Sequence, residues 1–84
     1  MKKARYLDVD DLFILYLLGE GMPVGRIADK LNVTQPAISL RLAKMRGVFG
    51  EFYERKKMSS LHLTAQGKTL AEIARVCVDA LSVI

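Results

Sequence analysis

Residues 24 to 45 read VGRIADKLNVTQPAISLRLAKM, and their pattern predicts two short helices that meet at a tight turn. The apolar residues of the first helix repeat at the spacing of one helix face: Val24, Ile27, Ala28 and Leu31. Asn32 then tolerates the left-handed conformation that a tight turn needs. Thr34 is a good N-cap for the second helix, and Pro36 falls in its first turn, where a missing N–H costs little. This spacing is typical of a helix-turn-helix whose second helix is exposed, polar and basic.

The segment before this unit predicts one more helix, from about Val9 to Leu18. Asp8 can cap it, and Asp11 lies three residues later, like the acid of a capping box. The helix is apolar on nearly all sides, so it should be buried against several neighbours.

The segment after the helix-turn-helix predicts a hairpin and a last helix. Leu61 and Leu63 alternate with His62, as in a half-buried strand, and they can pair with residues 53–55 to form a wing. The last helix should run from about Ala65 to Val83, with Thr64 as its cap. The predicted fold is therefore mainly α with a small β-hairpin, a winged helix-turn-helix followed by a C-terminal helix.

Length and composition restrict the function classes. The 84 residues suffice for one small domain, and 51% apolar with 26% charged residues exclude a disordered chain. The single cysteine, Cys77, excludes an internal disulfide and a cysteine-based zinc finger, and the single histidine, His62, argues against a metal site or a histidine-based triad. No nucleophile–base pair or phosphate loop is visible. We expect no enzyme activity, no metal and no cofactor.

Charge and hydropathy indicate the compartment and the partner. The longest apolar run, Leu12 to Leu18, is much shorter than the roughly 20 residues of a membrane span, and no signal-peptide cleavage pattern follows it. A cytoplasmic protein is therefore expected, with no membrane partner. The net charge is +4, and the stretch from Arg41 to Lys57 holds six basic residues against two acids. A positive face of this kind favours a polyanionic partner.

Three motifs resemble one family. TQPAIS at residues 34–39 is similar to the start of the recognition helix of LysR-type transcriptional regulators, FYER at 52–55 to the segment before their wing, and LTAQG at 63–67 to the start of their linker helix. The resemblance covers roughly residues 7 to 81. It implies a winged helix-turn-helix DNA-binding domain at residues 1–64 and a linker and dimerisation helix at residues 65–84.

The match has departures, and it leaves the extent of the protein open. Leu40 follows the recognition-helix serine where the family usually has a polar or basic residue, and Gly25 replaces a common phosphate-binding hydroxyl residue. In the family this region leads into a large effector-binding domain, for which 84 residues leave no room. The chain is thus expected to contain no small-molecule effector domain, as either a fragment of a longer regulator or a free-standing module.

The second helix of the unit offers the candidate base contacts. Gln35 can donate and accept a hydrogen bond at once, which is the pattern of adenine in the major groove. Ser39 lies one turn along and can reach a base or a phosphate, and Pro36 offers an apolar surface to a thymine methyl. Arg41 can read guanine or bind a phosphate, and both roles stay open. Capping and solvent exposure alone also account for these residue types.

Other residues are candidates for phosphate contacts. Thr34 can add a hydroxyl at the helix N-terminus, where the dipole favours an anion. The basic candidates at the groove edge and in the wing are Arg26, Lys44, Arg55, Lys56 and Lys57. A run such as residues 55–57 is otherwise an ordinary solvated turn.

The last helix predicts a partner chain. Its apolar residues follow heptad-like spacing, with Leu81 broadening the stripe: Leu70, Ile73, Cys77, Ala80, Leu81 and Ile84. We expect one edge to pack on the domain and another on a second copy, so that a homodimer reads an inverted repeat. The alternative is a protein-interaction module that pairs with another regulator chain and modulates it.

Overall fold

The computed structural model describes residues 7–55 and 61–82, and it contains four helices and one hairpin. In chain order they are α1 (Val9–Gly19), α2 (Val24–Leu31), α3 (Gln35–Phe49), β1 (Tyr53–Arg55), β2 (Leu61–Leu63) and α4 (Ala65–Leu81). This architecture confirms the predicted winged helix-turn-helix with a C-terminal helix. The predicted end of the last helix at Val83 lies outside the described residues. None of the helices in the described ranges is long and apolar enough to cross a membrane.

The three predicted N-caps are confirmed by side-chain hydrogen bonds. Asp8 and Asp11 form a complete capping box, in which each carboxylate accepts from the other residue's backbone N–H, at 3.0 and 3.2 Å. The Thr34 hydroxyl accepts from the N–H of Ala37 at 3.3 Å, and the Thr64 hydroxyl accepts from the N–H at residue 67 at 3.2 Å. These caps stop helices α1, α3 and α4 from extending toward the N-terminus.

The turn between α2 and α3 has the conformation that the sequence predicts. Asn32 adopts φ 57° and ψ 45°, the only positive φ at a non-glycine residue in the described part of the chain. The N–H of Val33 donates to the carbonyl of Ala28 at 3.0 Å, which closes the end of α2. Helix α3 therefore begins three residues after this turn residue, with Thr34 as its cap.

The core forms where α1 packs between α2 and α4. Its largest fully buried apolar side chains come from helices α1, α2 and α3 and from the residue before β1: Ile14, Leu15, Ile27, Ile38, Leu42, Met45 and Phe52. Helix α4 lies close against α1, because a Cβ on Gly19 would stand only 2.8 Å from the Cβ of Ala71. The inner side of α4, formed by Ala71, Ala74 and Val78, is buried by this contact.

Hydrogen bonds join the hairpin to the start of α4. Strands β1 and β2 are antiparallel, with Tyr53 opposite Leu63. The carbonyl of Phe52 accepts from the N–H of Thr64 at 3.1 Å, and the Thr64 hydroxyl donates to the carbonyl of Glu51 at 2.9 Å. A Cβ on Gly67 would collide with the Phe52 carbonyl oxygen. The glycine of the LTAQG motif therefore allows α4 to begin directly against the wing.

Candidate nucleic-acid interface

Helix α3 has one side in the core and one side in solvent. Ile38, Leu42 and Met45 anchor the inner side and are almost completely buried. The opposite side, called here the outer face of α3, consists of Gln35, Pro36, Ser39, Leu40, Ala43 and Lys44. All of these are exposed except Ser39, which is half-buried, and the first five line a shallow depression. The predicted base-contacting residues Gln35, Pro36 and Ser39 thus lie together on one accessible surface.

Gly25 gives the Gln35 side chain its space. A Cβ built on Gly25 would lie 2.8 Å from Nε2 of Gln35, so the amide rests against the first turn of α2. Both residues line a second depression, between the starts of α2 and α3. From the sequence alone, Gly25 is notable only because it replaces a hydroxyl residue that could bind phosphate. The fold shows that the absent side chain leaves room for the neighbouring amide.

The starts of both helices carry hydrogen-bond donors for an anion. The Thr34 hydroxyl oxygen accepts the capping bond, which leaves its O–H proton available to donate. Helix α2 begins after Pro23, whose side chain makes no capping hydrogen bond. Backbone N–H groups at the N-terminus of a helix favour negative charge in front of them.

Two exposed basic residues lie at opposite ends of the proposed interface, one beside the outer face of α3 and one at its edge. Arg26 in the first turn of α2 and Lys44 on α3 form no ion pair with any residue of the described ranges. Arg55 ends β1 and is exposed as well. The wing candidates Lys56 and Lys57 lie outside the described residues. Arg26 therefore keeps its charge available to an external anion, and Lys44, whose charge also lowers the pKa of Asp8, makes no direct ion pair in the described part of the chain.

Arg41 has a different environment, inside a cluster of acids at the start of α1. Its Nη1 donates to Asp8 Oδ1 at 3.0 Å and to Asp11 Oδ1 at 3.0 Å, and its Nη2 lies 3.7 Å from Asp10 Oδ2. Asp11 is completely buried. The guanidinium thus compensates a buried carboxylate and ties α3 to α1.

The pKa values within this acidic cluster respond to the same bonds. The backbone N–H of Asp11 lowers the pKa of Asp8, and Arg41 lowers it further. The hydrogen bonds to Asp8 and Asp11 raise the pKa of Arg41 above its already high value. A contact between Arg41 and DNA would require these bonds to break, and it stays a prediction.

Arg46 is also paired within the protein. Its Nη2 donates to Glu51 Oε1 at 2.6 Å, and its guanidinium lies 5.1 Å from the centre of the Tyr53 ring. The hydrogen bond to Glu51 raises the pKa of Arg46. Two of the six bases between Arg41 and Lys57 are thus neutralised by acids, and the positive surface is narrower than the sequence suggests.

The apolar residues of α4 that the sequence predicts at the dimer interface lie on two different sides of the helix. Leu70 is half-buried and packs against the domain's own core, and Cys77 is half-buried. Ile73 is 54% exposed, and Ala80 and Leu81 are exposed as well, whereas Ile84 lies outside the described residues. Val76, which the heptad-like spacing did not include, is also 54% exposed and follows Ile73 by one turn. Ile73, Val76, Ala80 and Leu81 form the outer face of α4.

Comparisons with known proteins agree with this geometry. No protein-family model matches the chain. An uncharacterised HTH-type transcriptional regulator of Bacillus subtilis, YraN, is 33% identical over 69 residues, which are 82% of this chain and 24% of YraN. The DNA complex of Vibrio fischeri DarR, a regulator of the LysR type, is 26% identical and covers 92% of this chain, with a TM-score of 0.74.

The chain has the winged helix-turn-helix fold of LysR-type regulators. Two OxyR structures have the same fold as this domain. That of Pseudomonas aeruginosa matches 92% of the chain with a TM-score of 0.79 at 24% identity, and the oxidised form from Corynebacterium glutamicum matches 89% with a TM-score of 0.77 at 25% identity. The chain spans about a quarter of the length of each of these relatives.

Proposed function

We propose that the chain is the DNA-binding domain of a LysR-type regulator, which binds double-stranded DNA in a sequence-specific manner and acts as a module of transcription regulation. The observation that carries the proposal is the outer face of α3. There, Gln35 and Ser39 are accessible on the second helix of a helix-turn-helix, between the unpaired charges of Arg26 and Lys44. The DNA complex of DarR supports this function, because its fold matches nearly the whole chain. The sequence-based expectation of a cytoplasmic protein is part of this proposal.

Within this proposal the contacts have two roles. Gln35 reads a base edge in the major groove, with Ser39 and Pro36 beside it. Thr34, Arg26 and Lys44 bind phosphates and set the register of α3 on the duplex. Arg55, with Lys56 and Lys57, brings the charge of the wing to the backbone or the minor groove. We assign Arg41 a positioning role, because its guanidinium holds α3 against α1.

We further propose that residues 65–84 pair two copies, so that residues 1–64 of each bind one half of an inverted repeat. The inner side of α4 is used by the domain itself, and its outer face carries exposed apolar side chains at successive turns. Ile73, Val76 and Leu81 lose contact with water when a second helix covers them, which favours association. The two-fold symmetry of such a dimer requires a palindromic site.

The first experiment measures the salt dependence of DNA binding. A duplex selected from random sequences is titrated with the domain between about 50 and 200 mM salt. Lys44→Ala removes a proposed phosphate contact, so the slope of log K against log salt should flatten by about 0.9. Arg75→Gln is the charge-matched control, because Arg75 lies on α4 in ion pairs with Glu72 and Asp79. A salt-independent affinity, or equal effects of both variants, would contradict the proposal.

A second experiment tests the pairing through α4. Ile73→Glu places a carboxylate on the outer face of α4 and should shift sedimentation equilibrium toward the monomer. Arg75→Gln changes the net charge by the same amount on the polar side of α4, and it should leave the dimer intact. A dimer that survives Ile73→Glu together with Val76→Glu would show that another surface pairs the chains.

The alternative function, a module that pairs with another regulator chain, is favoured by the same exposed face of α4. The two functions differ in what the outer face of α3 does. The double variant Gln35→Ala, Lys44→Ala should lose DNA binding and keep pairing if the domain reads DNA itself. If the variant still modulates a full-length LysR-type regulator without binding DNA, the interaction function is the correct one.

A further inference from the structure

Leu40 is a large apolar side chain held in solvent at the centre of the outer face of α3. At 76% exposure it is the most exposed of the large apolar residues in the described part of the chain. Single exposed leucines are common on protein surfaces and need no explanation by themselves. The position of Leu40 is what matters, because it lies one turn after Pro36 and one turn before Lys44 on the proposed recognition helix.

The fold itself does not use the Leu40 side chain. It takes no part in the hydrophobic core, whereas its helix neighbours Ile38 and Leu42 are fully buried there. Leu40 instead lines the shallow depression on α3 together with Pro36 and Ala43. These three side chains make the centre of the outer face apolar, between the amide of Gln35 and the ammonium group of Lys44.

An apolar side chain in the major groove can recognise only one group on the base edges. Thymine presents its C5 methyl group there, whereas the other edges present hydrogen-bond donors and acceptors. A leucine placed over those polar atoms removes water from them without replacing the lost hydrogen bonds. Contact with a methyl group carries no such cost and buries apolar surface on both sides.

We propose that Leu40 is a specificity-determining residue that reads the methyl group of a thymine in the site bound by this domain. The inference rests on the proposed DNA-binding function. The thymine in question is distinct from any thymine that Pro36 contacts, since one helix turn rises about 5.4 Å and successive base pairs lie about 3.4 Å apart. The base pair read by Leu40 is therefore one or two steps farther along the duplex.

The test replaces thymine by deoxyuridine, one position at a time, in the duplex selected by the wild-type domain. Deoxyuridine pairs with adenine in the same way and lacks only the C5 methyl group. Burial of one methyl-sized group changes an equilibrium constant by about fourfold, so the wild type should lose about this factor at the thymine that faces Leu40. Leu40→Ala should bind the thymine and deoxyuridine duplexes at that position equally. Circular dichroism checks that the variant is folded.

The remaining thymines of the site are the internal control, because their deoxyuridine effects should be the same for the wild type and for Leu40→Ala. If every deoxyuridine effect survives in Leu40→Ala, the inference about Leu40 is overturned while sequence-specific DNA binding stands. If the wild type selects no duplex at all, the proposed function fails and the inference fails with it.

Discussion

Leu40 and Arg41 are neighbours in the chain, and they lie in environments opposite to those that their side chains suggest. The apolar Leu40 extends into solvent, whereas the charged Arg41 binds the buried carboxylate of Asp11. The difference arises because one residue step turns a helix by about 100°. Position on the helix therefore decides which residue meets a partner molecule and which one holds the domain together.

The largest expected effect comes from removing the inward-facing charge. Arg41→Ala leaves the carboxylate of Asp11 buried without its cation, and the free energy of unfolding should fall by about 2–3 kcal/mol. This is below the full cost of breaking a buried ion pair, because the Arg41 side chain is 35% exposed. Urea denaturation measures the change.

Two variants accompany this measurement. Arg75→Ala removes an equally well-bonded arginine whose partners are exposed, and it should lower the free energy of unfolding much less than Arg41→Ala does. Adding Asp11→Asn to Arg41→Ala neutralises the orphaned charge and should restore part of the stability. Equal losses for Arg41→Ala and Arg75→Ala would show that burial of Asp11 does not matter.

A smaller effect of opposite sign is expected at an exposed position of α3. Gly47 lies inside α3, and a Cβ there would point into open space. Gly47→Ala should therefore raise the free energy of unfolding by about 0.5–1 kcal/mol, because glycine has more conformational freedom to lose in a helix. Thermal denaturation of both proteins measures it. A lowered melting temperature would mean that the surface around Gly47 is occupied.

Leu40→Ala should change stability still less, by under about 0.5 kcal/mol, since substitutions at exposed positions away from caps and ion pairs are close to neutral. Urea denaturation of Leu40→Ala and Arg41→Ala under the same conditions compares the two free energies of unfolding directly. A loss as large as that of Arg41→Ala would show that Leu40 belongs to the folded domain's own packing.

The smallest effect is the response of the acidic cluster to pH. The pKa of Asp8 is lower in the folded state than in the unfolded chain, first through the N–H of Asp11 and then through Arg41. Its contribution to stability is complete above about pH 4 and is lost as the pH falls through the folded-state value. Asp8→Asn should therefore unfold with a weaker pH dependence below about pH 4. Identical acid profiles of the variant and the wild type would contradict this assignment.

Much of the fold follows from short-range patterns. The caps at Asp8, Thr34 and Thr64 and the left-handed Asn32 were all predictable, because each depends on hydrogen bonds or backbone sterics within a few residues. Gln35, Pro36 and Ser39 were placed correctly on one exposed side of α3, since the apolar periodicity of the helix defines its buried side.

The distant partners of charged side chains were not predictable in this way. Arg41 pairs with acids more than 29 positions earlier in the chain, and Arg46 joins Glu51 across the end of α3. Counting bases along the sequence therefore overestimates the positive charge on the proposed DNA-binding surface. The space that Gly25 leaves for Gln35 likewise depends on how α2 and α3 are packed.

The sequence by itself determined the order of the elements, their starting residues and the side of α3 that faces solvent. The physical reason is that caps, turns and helix periodicity depend on nearby residues. Only the tertiary structure decided that Arg41 pairs with acids of α1, and that Ile73 and Val76 stay uncovered on α4. Those outcomes depend on the packing of α1 against its neighbours, which brings together groups far apart in the chain.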